Sequence, residues 1–322
     1  MPAQSSGIAG RMDSRRQPAN SRRERGNKGL AMLKFTSLLL AAALSATASA
    51  GPAFLADPPR DAAHPAHNQQ LLIQSHGSAM NALLFEAAGA GPHPTVILMH
   101  GLPGNERNLD LAQAMRSAGW DVLTFTYRGA WGSAGDFSIS NAIEDTAAAL
   151  DFAHSAEAAK LGIDPHHLVL AGHSMGGATA TITAAGAGGL DGLILIDAWN
   201  PALGTSKGAV TRAQLAAGFD DFGHSLHGAT PESVADEVIA KRAGWNLVAL
   251  APKLAGLPIL SVTAKYGLAS RNEPLTAALR NAGDSRVTAV EMDTDHSFSD
   301  HRMALSSVVV GWLEQLRPAS PQ

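Results

Sequence analysis

The stretch Leu168-Val169-Leu170-Ala171-Gly172-His173-Ser174-Met175-Gly176-Gly177-Ala178-Thr179 decides the fold of this chain. An apolar run of strand length, predicted over His167–Leu170, leads through Ala171-Gly172 into a G-x-S-x-G turn. A helix follows, read over Ala178–Ala185. In a chain with 32 glycines the bare pattern would carry little, but its position between a strand and a helix gives it meaning. A serine at the apex of such a turn needs neighbours without Cβ atoms, because the two backbones pass closely. Its hydroxyl is then presented above the sheet, and the first N–H groups of the helix favour negative charge beside it. The N–H of Met175 is one such donor.

Outward from this turn, strand-length apolar runs alternate with amphipathic stretches, the pattern of a mostly parallel sheet covered by helices on both faces. Strands are predicted at Thr95–Met99, Asp121–Thr126, Leu193–Ile196, Ile259–Thr263 and Val287–Met292. Helices are predicted at Leu109–Ala118, Ile143–His154, Glu273–Asn281 and Met303–Leu316. Leu71–Gln74 and Ala82–Phe85 read as short strands of an antiparallel edge. From Asp197 to Leu257 the strand rhythm stops for about 60 residues, with a helical pattern at Glu232–Ala243. That is too long for a simple junction, and it predicts a small helical lid over about 198–256.

The turn resembles the nucleophile elbow of the α/β-hydrolase superfamily, and the order of elements after Leu71 matches that fold. His100-Gly101-Leu102-Pro103-Gly104, directly after the first parallel strand, is similar to the family's HGxPG loop. The resemblance makes the N–H of Leu102 the second oxyanion donor and His100 a brace for the loop. Tyr127-Arg128-Gly129 resembles the next loop of exported serine esterases and acyl-peptidases, and a salt-bridged arginine in a glycine-rich turn explains it equally well.

A serine hydroxyl needs a base, and histidine suits the task because it titrates near neutrality. Among 13 histidines, His296 follows the last predicted strand and precedes the terminal helix, where the superfamily carries its base. His301 is the runner-up. The acid departs from the pattern. After Ile259–Thr263 the chain reads Ala264-Lys265-Tyr266-Gly267-Leu268, without the carboxylate that the family usually places there. Asp197, at the end of Leu193–Ile196, is one substitute and Glu273 another; Asp295, adjacent to His296, is expected to point elsewhere. A third reading has no competent acid, and then the chain is a degenerate or non-catalytic hydrolase-fold binding protein.

Together these residues predict a serine hydrolase acting on a small-molecule ester or peptide by acyl transfer, with Ser174, His296 and Asp197 catalytic and Leu102 and Met175 forming the oxyanion hole. Trp199, Phe219, Phe222 and Trp245 are candidate apolar walls of the substrate pocket. Halide or peroxide chemistry on the same fold is a weaker reading. No metal or organic cofactor is implied. The absence of cysteine excludes disulfides and thiolate chemistry, and a net charge of −4 offers no field for nucleic acid.

The amino terminus reads as a leader over residues 1–50. Basic residues Arg22, Arg23, Arg25 and Lys28 precede an apolar core, and Ala48-Ser49-Ala50 closes it as a secretory cleavage site does. The signal proper spans 32–50, with Met32 a rival to Met1 as start, and the apolar part is short for a span of about 20 residues. Residues 51–68 read as a linker, 69–322 as the hydrolase domain, and the mature protein as exported, periplasmic or secreted, with no stable membrane span.

Overall fold

A central eight-stranded sheet carries the order β1-β2-β4-β3-β5-β6-β7-β8 in the computed structural model, which describes residues 57–203, 210–219, 225–283 and 286–317. The expected signal segment and its cleavage point lie outside the described residues, as does Phe222. The strands are β1 (His67–Ser75), β2 (Ser78–Glu86), β3 (His93–Met99), β4 (Asp121–Phe125), β5 (Ile163–His173), β6 (Leu190–Ile196), β7 (Ile259–Ala264) and β8 (Val287–Met292). β1 and β2 form an antiparallel hairpin, β2 runs antiparallel to β4, and every other neighbouring pair is parallel. The hairpin starts two residues before the predicted domain boundary, so His67 and Asn68 belong to β1 rather than to a linker.

Alternation along β3 shows how the sheet is buried on both faces. Ile97 and Met99 join a core with α2 (Ile139–Ala153) and α4 (Met175–Ala184), whereas Val96 and Leu98 face α1 (Leu109–Ser117) and α9 (Arg302–Leu316). All four are fully buried, each contributing about 2 kcal/mol relative to exposure. The short α3 (Ala156–Lys160) covers the approach to β5.

Between β6 and β7 lie α5 (Arg212–Gly218), α6 (Pro231–Lys241), α7 (Leu247–Leu250) and one 3-10 turn (Ala251–Leu254). This insertion is fastened to the body. His227 N–H donates to Gly129 O at 2.7 Å, and Phe137 N–H donates to His227 O at 2.9 Å. Glu237 of α6 accepts from the N–H groups of Ile139 and Ser140 at 2.8 and 3.0 Å, placing a carboxylate at the positive end of α2. Those contacts explain why α2 begins at Ile139 rather than at the predicted Ile143. Trp245 is a core side chain beside Val234, Val238 and Leu247.

α8 (Ala269–Asn281) likewise starts four residues before the predicted Glu273 and takes Pro274 inside it. Asn272 Nδ2 donates to Leu268 O at 3.0 Å and to Ala198 O at 2.9 Å, which anchors the extra turn against the end of β6. No helix among the described residues is long and apolar enough to cross a membrane.

Candidate functional site

Ser174 stands between β5 and α4 with φ 53° and ψ −117°, a conformation that side-chain-bearing residues rarely adopt. Its surroundings hold it there. Ser174 N–H donates to Ile196 O at 3.0 Å, and Ser174 O accepts from Gly177 N–H at 3.0 Å and from Trp199 N–H at 2.9 Å. A Cβ on Gly172 would lie 2.1 Å from Gly176 O, so the strand can enter and the helix leave only without a side chain at that point.

The His100–Gly104 loop lies against this turn: a Cβ on Gly101 would stand 2.9 Å from Ser174 Cβ. His100 is buried, and its Nδ1–H donates to Gly101 O at 2.6 Å. Burial draws its pKa down to about 4, so the ring is a neutral brace for the loop. Tyr127 Oη–H donates to His100 O at 3.2 Å, and Trp131 Nε1–H donates to Pro103 O at 2.7 Å. The N–H of Met175 opens α4, where no intrahelical acceptor exists, and neither it nor the N–H of Leu102 is used in the hydrogen bonds of the surrounding turns.

His296 lies in the loop between β8 and α9, and Asp197 follows β6. His296 Nδ1–H donates to Asp197 Oδ2 at 2.6 Å, which fixes the tautomer and leaves Nε2 as the acceptor. Asp197 is fully buried at φ 43°, and its oxygens also accept from Ala264 N–H at 3.1 Å and Leu268 N–H at 2.8 Å. The loop after β7 that lacks a carboxylate therefore supplies backbone donors to one on the neighbouring strand. The other candidates are elsewhere. Glu273 is exposed on α8 and bonds no histidine among the described residues. Asp295 accepts from the N–H groups of Ser299 and Ser297 within its own turn, which hold its pKa below the usual carboxylate value. His301 precedes α9 and pairs with Asp300 at 2.9 Å.

His173, the residue between Gly172 and Ser174, has a place that the sequence did not disclose. Its Nε2–H donates to the carbonyl oxygen of His296 at 2.9 Å, and the two rings lie 4.6 Å apart. Burial pulls its pKa down to about 4, so it sits there neutral. From the other side Arg302 reaches Ser297 O at 3.0 Å and pairs with Asp110, tying the His296 loop to α1. Arg128 bonds Asp145 at 2.5 Å and Glu144 at 2.7 Å, and it is part of the frame.

Trp199 and Phe219 meet edge to face at 6.4 Å and line a cavity of about 300 Å³ under the insertion. A separate depression of about 510 Å³ crosses β1, β2 and β4 with Trp131 on its rim. It contains none of the serine, histidine or aspartate above, so cavity size by itself does not locate the chemistry.

Residues 90–220 match the family model described as serine aminopeptidase, S33. No curated protein matches the chain. Among solved structures, an esterase from Pyrobaculum calidifontis is similar at 20% identity over 79% of this chain and 87% of its own, with a TM-score of 0.62. A thermostable carboxylesterase cloned from a metagenomic library is 21% identical over 79% of this chain and 91% of its own, at 0.59. Est1E from Butyrivibrio proteoclasticus, solved with ferulic acid, is 18% identical over 76% and 98%, at 0.58. Together with the sheet order and the strained serine turn, these matches show that the chain has the α/β-hydrolase fold.

Proposed function

We propose that this protein is a serine hydrolase that cleaves carboxylic esters, and amides as a second class, by acyl transfer through Ser174. The observation that carries the reading is the buried Asp197 held 2.6 Å from His296 Nδ1, beside a serine turn pinned to the same strand end. In the first step Ser174 Oγ bonds to the carbonyl carbon while His296 Nε2 takes its proton, and the resulting imidazolium is held by Asp197. The N–H groups of Leu102 and Met175 receive the oxyanion, and each such donor is worth roughly 10²–10³ in turnover. The proton passes to the leaving oxygen or nitrogen as its bond to carbon breaks. Water, deprotonated by the same nitrogen, then attacks the acyl-enzyme, and Ser174 recovers its proton as the acid departs.

Esters come first because the similar solved structures include esterases, and amides second because residues 90–220 resemble serine aminopeptidases. The degenerate reading rested on a missing acid, and the Asp197–His296 contact removes its motive. The insertion between β6 and β7 acts as the lid that shapes the pocket. The leader supports export to the periplasm or medium with cleavage after Ala50, and a mature chain beginning there by amino-terminal sequencing is the expected result.

The test is direct. A fluorophosphonate probe labels Ser174, and Ser174→Ala abolishes both labelling and p-nitrophenyl ester cleavage. A folded protein that takes no label overturns the reading.

A further inference from the structure

The cavity beneath the insertion has a feature that ester hydrolysis alone does not require. Two arginines line it: Arg242, at the end of α6, and Arg271, in the first turn of α8. Both are half-buried, and neither guanidinium makes an ion pair or hydrogen bond with any described residue. Elsewhere in the protein Arg128, Arg212 and Arg302 are each paired with a carboxylate. The remaining walls include Trp199, Leu215 and Phe219, and no acidic residue lines the space among the described residues. A guanidinium stays charged at every physiological pH, so the cavity is an apolar chamber with two positive charges and no counter-charge among the described residues.

Its position ties it to the proposed chemistry. Trp199, one of its walls, donates its N–H to Ser174 O at 2.9 Å. Arg271 N–H donates to Leu268 O at 2.9 Å, one turn beyond the Leu268 N–H that contacts Asp197. The volume of about 300 Å³ is roughly twice that of a cavity that encloses one benzene ring.

We infer that this cavity receives a substrate with an apolar or aromatic body ending in a carboxylate, which Arg242 and Arg271 bind. The planar guanidinium forks match a carboxylate in two parallel hydrogen bonds, and the apolar walls cover the body between anion and scissile bond. The reaction remains hydrolysis: one water enters, the acyl–oxygen bond breaks, and the acid and alcohol leave. The inference rests on Ser174 as nucleophile and names the substrate class of that site.

The experiment compares matched esters on the purified protein. One arm places the anion on the acyl side, mono-p-nitrophenyl adipate against p-nitrophenyl hexanoate. The other places it on the leaving group, 4-acetoxybenzoate against 4-acetoxybenzamide. In one arm the carboxylate-bearing ester is expected to exceed its neutral partner in kcat/KM by about ten-fold or more, a preference that weakens with added salt. Arg271→Gln and Arg242→Gln should each bring that ratio towards one, with unchanged thermal melts showing that the variants fold. A ratio near one in both arms of the wild type, or a preference that survives both substitutions, overturns the inference while leaving Ser174 in place. Absence of turnover and of probe labelling on every ester overturns the nucleophile, and the substrate class falls with it.

Discussion

A Cβ on Gly267 would stand 2.2 Å from Asp197 Oδ2, the same oxygen that receives His296 Nδ1–H at 2.6 Å. The loop after β7 has thus exchanged a carboxylate of its own for empty space and two N–H donors, all serving a carboxylate on the next strand. Gly267→Ala is expected to push Asp197 or His296 aside. A displacement on the order of 1 Å costs roughly hundred-fold in kcat. Steady-state kinetics and the rate of fluorophosphonate labelling of Ser174 measure it, and a variant with wild-type rates would show that the contact plays no part in turnover.

Asp197→Asn probes the acid itself. One amide oxygen cannot replace two carboxylate oxygens that accept from Ala264, Leu268 and His296, and the amide nitrogen would face a donor. Turnover should fall about 10⁴-fold, as it does when the histidine loses its proper tautomer. Stability should fall by about 1–3 kcal/mol for the unmade buried bonds. Glu273→Gln, the control on the rival carboxylate, should leave the melting temperature and kcat near those of the wild type.

The sequence disclosed the elbow because everything that makes it is local: a strand, two close-packed glycines and a helix start within a dozen residues. It favoured Asp197 over Glu273 without showing the contact that decides between them. That choice depends on β6 and β7 lying side by side with Ile196 opposite Val262, which aims Asp197 at the β7 loop. The contact with His296 then joins residues 99 apart. His173 and Glu237 were invisible for the same reason, since their partners His296 and Ile139 lie 123 and 98 residues away. The early start of α8 is another such case: the sidechain of Asn272 reaches Ala198, and no pattern within the helix announces it.

Glu237 holds the insertion to α2 through Ile139 N–H, Ser140 N–H and the Ser140 hydroxyl at 2.8, 3.0 and 2.5 Å. Glu237→Ala leaves those three donors without their acceptor. The urea midpoint should fall by an amount equivalent to about 1–3 kcal/mol, and limited proteolysis should cut the insertion before the sheet domain. Loss of stability without faster cleavage there would place the effect of Glu237 in α2 alone.

Acid should weaken the fold through His100 and His173, whose pKa values burial lowers from 6.5 to about 4. Between those values the unfolded chain binds protons that the folded chain does not. The stabilisation is therefore complete above about pH 6.5 and is lost as the pH falls towards 4. Each histidine contributes a slope of just over ~1 kcal/mol per pH unit within that window. Denaturant titrations from pH 7 to 4.5 should show the midpoint falling, and a flat profile would mean that both rings reach solvent.

His173→Gln and His173→Leu separate the support of His296 from mere packing. Glutamine keeps an N–H donor at the end of a side chain of similar reach and can still meet the His296 carbonyl, whereas leucine fills the space and leaves that oxygen without its 2.9 Å partner. If the hydrogen bond fixes the base, the leucine variant should lose about ten-fold or more in kcat with KM little changed, and glutamine should recover most of the loss. Both variants also remove a buried titrating ring, so both should flatten the acid limb of the stability profile. A leucine variant that is as active as glutamine would confine His173 to packing, and His296 would then owe its position to Asp197 and Arg302 alone.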